Sequence, residues 1–137
     1  MFSAKHNKNR ALVVGKLGES LACEYLVKKR HIIVDRNYRR KFGEIDIISI
    51  SPDKTLIFSE VKTMSVRNEF SEGLSPEDNL TFFKAIKIKR MAQFFATQNP
   101  RMIDDGKGWR IDLIVVVLAE YPNHGYKIKR IAHYENI

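Results

Sequence analysis

The chain has 137 residues, of which 44% are hydrophobic and 29% charged, with only 7 Gly and 4 Pro. That length and balance describe one globular domain with a continuous core and exclude a disordered or fibrous chain. Its 24 Lys and Arg against 16 Asp and Glu leave a formal charge of +8, which suits a nucleic-acid or other anionic partner and equally a basic protein kept soluble by its charge.

Residues 1–10 are polar and basic and read as a flexible N-terminal tail, leaving residues 11–137 as a single domain. The apolar stretch near the start is too short for a signal peptide. Over residues 11–30, Val14, Leu17, Leu21 and Tyr25, with Leu26 on the flank, fall at helical spacing. Cys23, the single cysteine, excludes an intrachain disulfide and a thiolate metal cluster, and points to a reducing compartment. Residues 31–38 hold Ile32, Ile33 and Val34 and read as a strand, followed by the basic Arg39-Arg40-Lys41. Residues 43–62, GEIDIISISPDKTLIFSEVK, read as a hairpin turning at Ser51-Pro52-Asp53-Lys54. Residues 63–74 form a polar loop carrying Arg67. Ser75-Pro76-Glu77-Asp78 then supplies a cap, a first-position proline and first-turn acids for a helix running to about residue 97.

Residues 109–118 make a strongly apolar strand, and residues 126–134 a weaker one with alternating Ile and Lys or Arg. The longest uncharged apolar run, residues 114–119, is far short of the roughly 20 residues a membrane span needs. A soluble, cytoplasmic protein without a membrane partner is expected. The element order α-β-β-β-α-β-β specifies an α/β fold with a mixed sheet flanked by helices.

The hairpin carries charge where its pattern calls for Ile or Val. Glu60 and Lys62 share a face with Leu56 and Phe58, and Asp46 shares one with Glu44, Ile48 and Ile50. For Asp46 to stand opposite Glu60, paired residue numbers must sum to 106. That needs a loop with an odd number of residues, such as Pro52-Asp53-Lys54, or a bulge. Two carboxylates so placed, about 5 Å apart at Cβ, repel unless a cation lies between them. Oxygen donors select hard cations such as Mg²⁺ or Mn²⁺, and Lys62 one step along can stabilise charge growing on a phosphate. The same spacing also describes an ordinary structural Glu60–Lys62 pair.

Two helices add candidates. Glu19 lies at the border of the first helix's apolar stripe, with Gly15 and Ala22 a turn to either side, so a sheet or ligand can approach there. In the second helix Lys84 and Lys87 fall on the apolar face with Leu80, Phe83, Ile88, Met91, Phe94 and Phe95. Their stems either cover apolar surface or carry the ammonium groups to substrate phosphates. Asp112, among Ile and Val, reads as a buried partner for an arginine. The four histidines show no metal spacing, and no Walker loop or dinucleotide fingerprint points to a nucleotide cofactor.

Together the motifs G-x-x-G-E-x-x-A at residues 15–22, N-Y-R at 37–39, G-E-I-D at 43–46 and E-V-K-T at 60–63, with a Lys-bearing helix, closely resemble the YraN family of small bacterial proteins. That family is in turn similar to the PD-(D/E)xK nuclease superfamily and to archaeal Holliday junction resolvases. The resemblance implies a restriction-endonuclease-like core and a metal-dependent endonuclease acting on branched or structured DNA. It implies that Glu19, Asp46 and Glu60 bind Mg²⁺ or Mn²⁺ or its water, and that Lys62 assists attack. Arg39, Arg40, Lys41, Arg67, Lys84 and Lys87 would then grip the DNA backbone. The chain departs from the pattern at Ile45, where the superfamily has Pro, at Met64, where an Arg often follows, and across residues 65–78. A non-catalytic nucleic-acid-binding or scaffolding protein of the same fold is the alternative, and a homodimer is left open.

Overall fold

A computed structural model describes residues 4–66 and 82–137, with side chains from residue 9 to 66 and from 84 onward. Helix α1 (Ala4–Lys28) is followed by strands β1 (Ile32–Arg40), β2 (Gly43–Ile50) and β3 (Leu56–Val66), helix α2 (Phe82–Gln98), and strands β4 (Trp109–Tyr121) and β5 (Gly125–Tyr134). The five strands form one sheet in the order β1-β2-β3-β4-β5. All neighbours are antiparallel except β3 and β4, which run parallel over the full length of β3. A parallel pair needs a crossover, and α2 lies within it. This is the α/β fold with the element order read from the sequence.

The two helices cover opposite faces of the sheet. Ile88, Met91, Ala92 and Phe95 of α2 pack with Tyr38, Ile45, Ile48, Leu56 and Phe58. Val14, Ala22, Cys23 and Leu26 of α1 pack with Ile47, Val61, Ile114, Val116 and Leu118. Two boundaries and one buried face differ from expectation. Helix α1 begins at Ala4, so residues 4–10 of the expected tail are helical; AKHNKNR contains neither Gly nor Pro to stop it. Strand β3 continues through Thr63 to Val66, where a loop was expected, because the backbone ladder to β4 runs on to Val66 and Ala119. The buried stripe of α1 is Val14, Gly18, Ala22 and Leu26, whereas Leu17, Leu21 and Tyr25 lie half-buried on its flank. The helix seats its small residues: a Cβ on Gly18 would lie 1.9 Å from Thr63 Oγ1. The close approach expected at Gly15 and Ala22 is thus made at Gly18 and Ala22. The expected start of α2 at Ser75–Asp78 lies outside the described residues.

Candidate active site

The hairpin sets the register. Ser51 N–H donates to Thr55 O at 3.0 Å and Lys54 N–H to Ser51 O at 2.9 Å, closing a turn in which Lys54 takes a left-handed φ of 73°. Asp53 Oδ1 accepts from Thr55 N–H and from the Thr55 and Ser51 hydroxyls, fastening both ends. Pro52-Asp53-Lys54 is thus an odd loop, and the pairs Ile50–Leu56 through Ile47–Ser59 follow from it, each summing to 106.

That ladder ends at Ile47–Ser59, one step before Asp46 and Glu60 would meet. Beyond it the Asp46 side chain replaces a backbone acceptor: its Oδ2 accepts from Val61 N–H at 2.8 Å. The alternation of β2 also slips here, since Ile45 and Ile48 pack toward α2 and Ile47 toward α1. Asp46 therefore sits where β2 and β3 part, within reach of both helical layers.

Asp46 and Glu60 are both buried, each 7% exposed. Burial, and then the neighbouring Glu60 charge, push the Asp46 pKa up to about 8, against the Val61 N–H that favours the ionised form. The Glu60 side chain lies in hydrogen-bond contact with Asp46, which favours the protonated form of Asp46 further. Glu19 arrives from α1 in hydrogen-bond contact with Asp46, its pKa raised by burial and by Glu44, against Arg36.

From the other layer, Lys84 Nζ lies 2.5 Å from Glu60 Oε1. Burial works against the Lys84 ammonium, but hydrogen bonds with Glu60 and Lys62 outweigh it and hold its pKa above the ordinary value. Lys62 is shifted the other way, by the hydrogen bond to Lys84, by burial and by the Lys84 charge. Glu19, Asp46, Glu60, Lys62 and Lys84 thus come together around one point. Among the described residues no three His, Cys, Asp or Glu side chains form a ready-made metal cluster. The carboxylates are neighbours without being a finished coordination shell, and the cation beside Glu60 is Lys84.

The other cationic candidates spread outward. Arg39 is exposed and paired through Nε and Nη2 with Glu44 Oε2, at 3.1 and 2.8 Å. Arg40 covers the Tyr38 ring at 4.3 Å, while Lys41 and Lys87 are exposed. Arg67 lies outside the described residues. Sequence reasoning missed three participants: Arg36, the Val61 N–H, and Lys84 as the Glu60 partner. Only Lys84 had left a signal, a cation on an apolar helix face.

Asp112 belongs to a separate buried network. It accepts from Arg110 Nε at 2.9 Å and Asn136 N–H at 3.0 Å, and pairs with His133 Nε2 at 2.7 Å, whose other ring nitrogen meets Tyr25 Oη at 3.1 Å. Burial opposes its charge, but these hydrogen bonds prevail and lower its pKa. It is the arginine partner that its strand position indicated.

A mixed five-stranded α/β sheet with a carboxylate–lysine cluster at a strand parting defines the class of protein. Comparison with known proteins places it more narrowly. A family profile described as "Uncharacterised protein family UPF0102" matches residues 18–116. A UPF0102 protein of Alkaliphilus oremlandii is 39% identical over 90% of this chain and 95% of its own length. Similar matches include UPF0102 proteins of Campylobacter concisus, 39% identical over 74% of this chain and 81% of the relative, and Clostridium botulinum, 38% over 86% and 89%. The chain belongs to the UPF0102 family, the YraN family whose motifs it carries. No helix among the described residues is long and apolar enough to cross a membrane.

Proposed function

We propose that this protein is a metal-dependent endonuclease that hydrolyses phosphodiester bonds in branched or otherwise structured DNA. The observation that carries the reading is the buried Asp46–Glu60 pair beside Lys62 and Lys84 in a chain of charge +8. Two carboxylates this close cannot both ionise cheaply without a cation. A donor set made only of carboxylate oxygens fits Mg²⁺ or Mn²⁺. Asp46 and Glu60 would hold the ion and Glu19 would complete its shell or orient water. When bound, such an ion polarises a phosphoryl oxygen and lowers the pKa of its water.

The chain's own groups do the rest. Val61 N–H fixes the Asp46 carboxylate. Lys62 stands where it can stabilise charge growing on the phosphoryl oxygens, and Lys84, once released by Glu60, would turn to the same phosphate. Arg40, Lys41 and Lys87 supply backbone contacts that position without reading sequence. A non-catalytic nucleic-acid-binding role is the second reading, favoured by one feature: Lys84 already fills the cation's place at Glu60.

The test is cleavage of a panel of blunt, tailed, flapped and four-way DNA in Mg²⁺ or Mn²⁺ and in EDTA. Metal-dependent products that vanish in Glu60→Gln support the first reading. DNA binding without products under any metal supports the second.

A further inference from the structure

Two recesses flank the N-terminal half of α1, and Gly15 lines both. One, of about 580 Å³, opens toward β1 and β2 and is lined by Leu12, Lys16, Glu19, Arg36 and Arg39 among others. The other, of about 320 Å³, opens toward Thr63 and Ser65 of β3. One turn later α1 presses so closely on β3 that Gly18 admits no Cβ, yet a Cβ on Gly15 would meet nothing within 4 Å. The helix is packed on the sheet at Val14 and Gly18, while the Gly15 Cα between them faces open space. A glycine inside a helix is less stable than an alanine in the same place. At Gly18 packing explains that cost; at Gly15 nothing in the fold does.

We propose that the space at Gly15 receives one unpaired DNA strand adjoining the phosphate to be cut, an inference that rests on the nuclease reading above. Size suits a single strand. Recesses of roughly 300–1,000 Å³ enclose a ligand of drug size, about one or two nucleotides. Charge and surface agree. Lys16, Arg36 and Arg39 outnumber Glu19 and Glu44 around the larger recess. Arg39 is held by Glu44, and Arg36, exposed, reaches Ser20 Oγ at 3.3 Å, so Lys16 and Arg36 are the cations placed to meet phosphates. Leu12, 59% exposed, offers a base an apolar contact. Single-strand sites combine a cationic groove with faces on which bases stack. This recess supplies the cations, and Leu12 supplies an apolar contact in place of an aromatic ring. Glu19 joins the recess to the buried pair through its hydrogen bond with Asp46, so a strand lying there leads to the candidate active site.

The test uses the full chain in EDTA, with fluorescence anisotropy of a labelled single strand, a blunt duplex of the same sequence, and that duplex with an unpaired tail. The wild type is expected to prefer the tailed and single-stranded probes. Gly15→Leu fills the recess and is expected to weaken those two by about tenfold, the worth of one base contact, while leaving the blunt duplex unchanged. Gly15→Ala is expected to melt at or above the wild-type temperature, and Lys16→Ala and Arg36→Ala each to lower the log–log salt slope by about one unit. A Gly15→Leu protein that melts like the wild type and keeps its tail preference overturns the inference, as does a wild type with no such preference. Metal-dependent cleavage unaffected by Gly15→Leu would sink the strand path alone. Tail binding lost in Gly15→Leu, with no cleavage by the wild type under any metal, would sink the nuclease reading alone.

Discussion

One proton decides the state of Asp46. In the unfolded chain this carboxyl ionises near 3.8, and in the fold at about 8. Between those values the folded protein holds a proton that the unfolded chain has released, so the contribution is complete below the window and is lost as pH rises through it. Asn at this position keeps an oxygen for Val61 N–H and removes the ionisation. Without metal, urea melts at about pH 5 and about pH 8 should therefore show the wild type losing more stability than Asp46→Asn, by an amount on the order of 2 kcal/mol. At the higher pH the variant should be at least as stable as the wild type. A variant weaker by a few kcal/mol at both values would make Asp46 an ion-pair partner of the nearby lysines. Asp112 should behave in the opposite way, because its charge is already satisfied. Arg110→Ala leaves a fully buried carboxylate short of a partner and should cost about 3 kcal/mol by the same melts. A loss under 1 kcal/mol would show that His133 and Asn136 N–H suffice.

At the scale of elements, two glycines one turn apart on α1 should answer substitution with opposite signs. Gly18→Ala drives a methyl into Thr63 and should destabilise by roughly 1–3 kcal/mol, despite the better helix propensity of alanine. Gly15→Ala should stabilise by up to about 1 kcal/mol. Equal effects in thermal melts would contradict the seating of α1 described here. The same helix shows why part of the molecule was legible in the sequence and part was not. Apolar spacing found α1 but chose Leu17, Leu21 and Tyr25 for its buried face, because Gly18 and Ala22 carry no hydrophobic signal and earn burial only by letting the sheet approach. The hairpin was legible as a turn at residues 51–54, with an odd loop as one of two ways to reach its register. The odd loop forms, but the ladder stops one pair short of Asp46 and Glu60, where the alternation of β2 slips. The extension of β3 to Val66 was not legible, because Thr63, Met64 and Ser65 are held by a strand about fifty residues away. Long-range contact also hid the partnership of Lys84 with Glu60, which a helix and a hairpin make only once folded.

For the whole molecule, the charge of +8 gathers meaning from where its cations sit. Lys41 and Lys87 are exposed, and each alanine substitution should lower the log–log salt slope of DNA binding by about one unit. Lys84→Ala should lower it by less, because Glu60 already opposes that charge in the free protein. Equal slopes for all three variants would mean that Lys84 faces the phosphates before any metal arrives. Whether Asp46 and Glu60 hold a divalent ion is read by calorimetric titration of Mn²⁺ into the wild type, Asp46→Asn and Glu60→Gln. One saturable site is expected in the wild type, lost in both variants while each remains folded, with wild-type stability raised by about 3 kcal/mol at a hundred times the dissociation constant. Mn²⁺ binding that persists unchanged in both variants, or a wild type that takes up no Mn²⁺, would contradict that expectation.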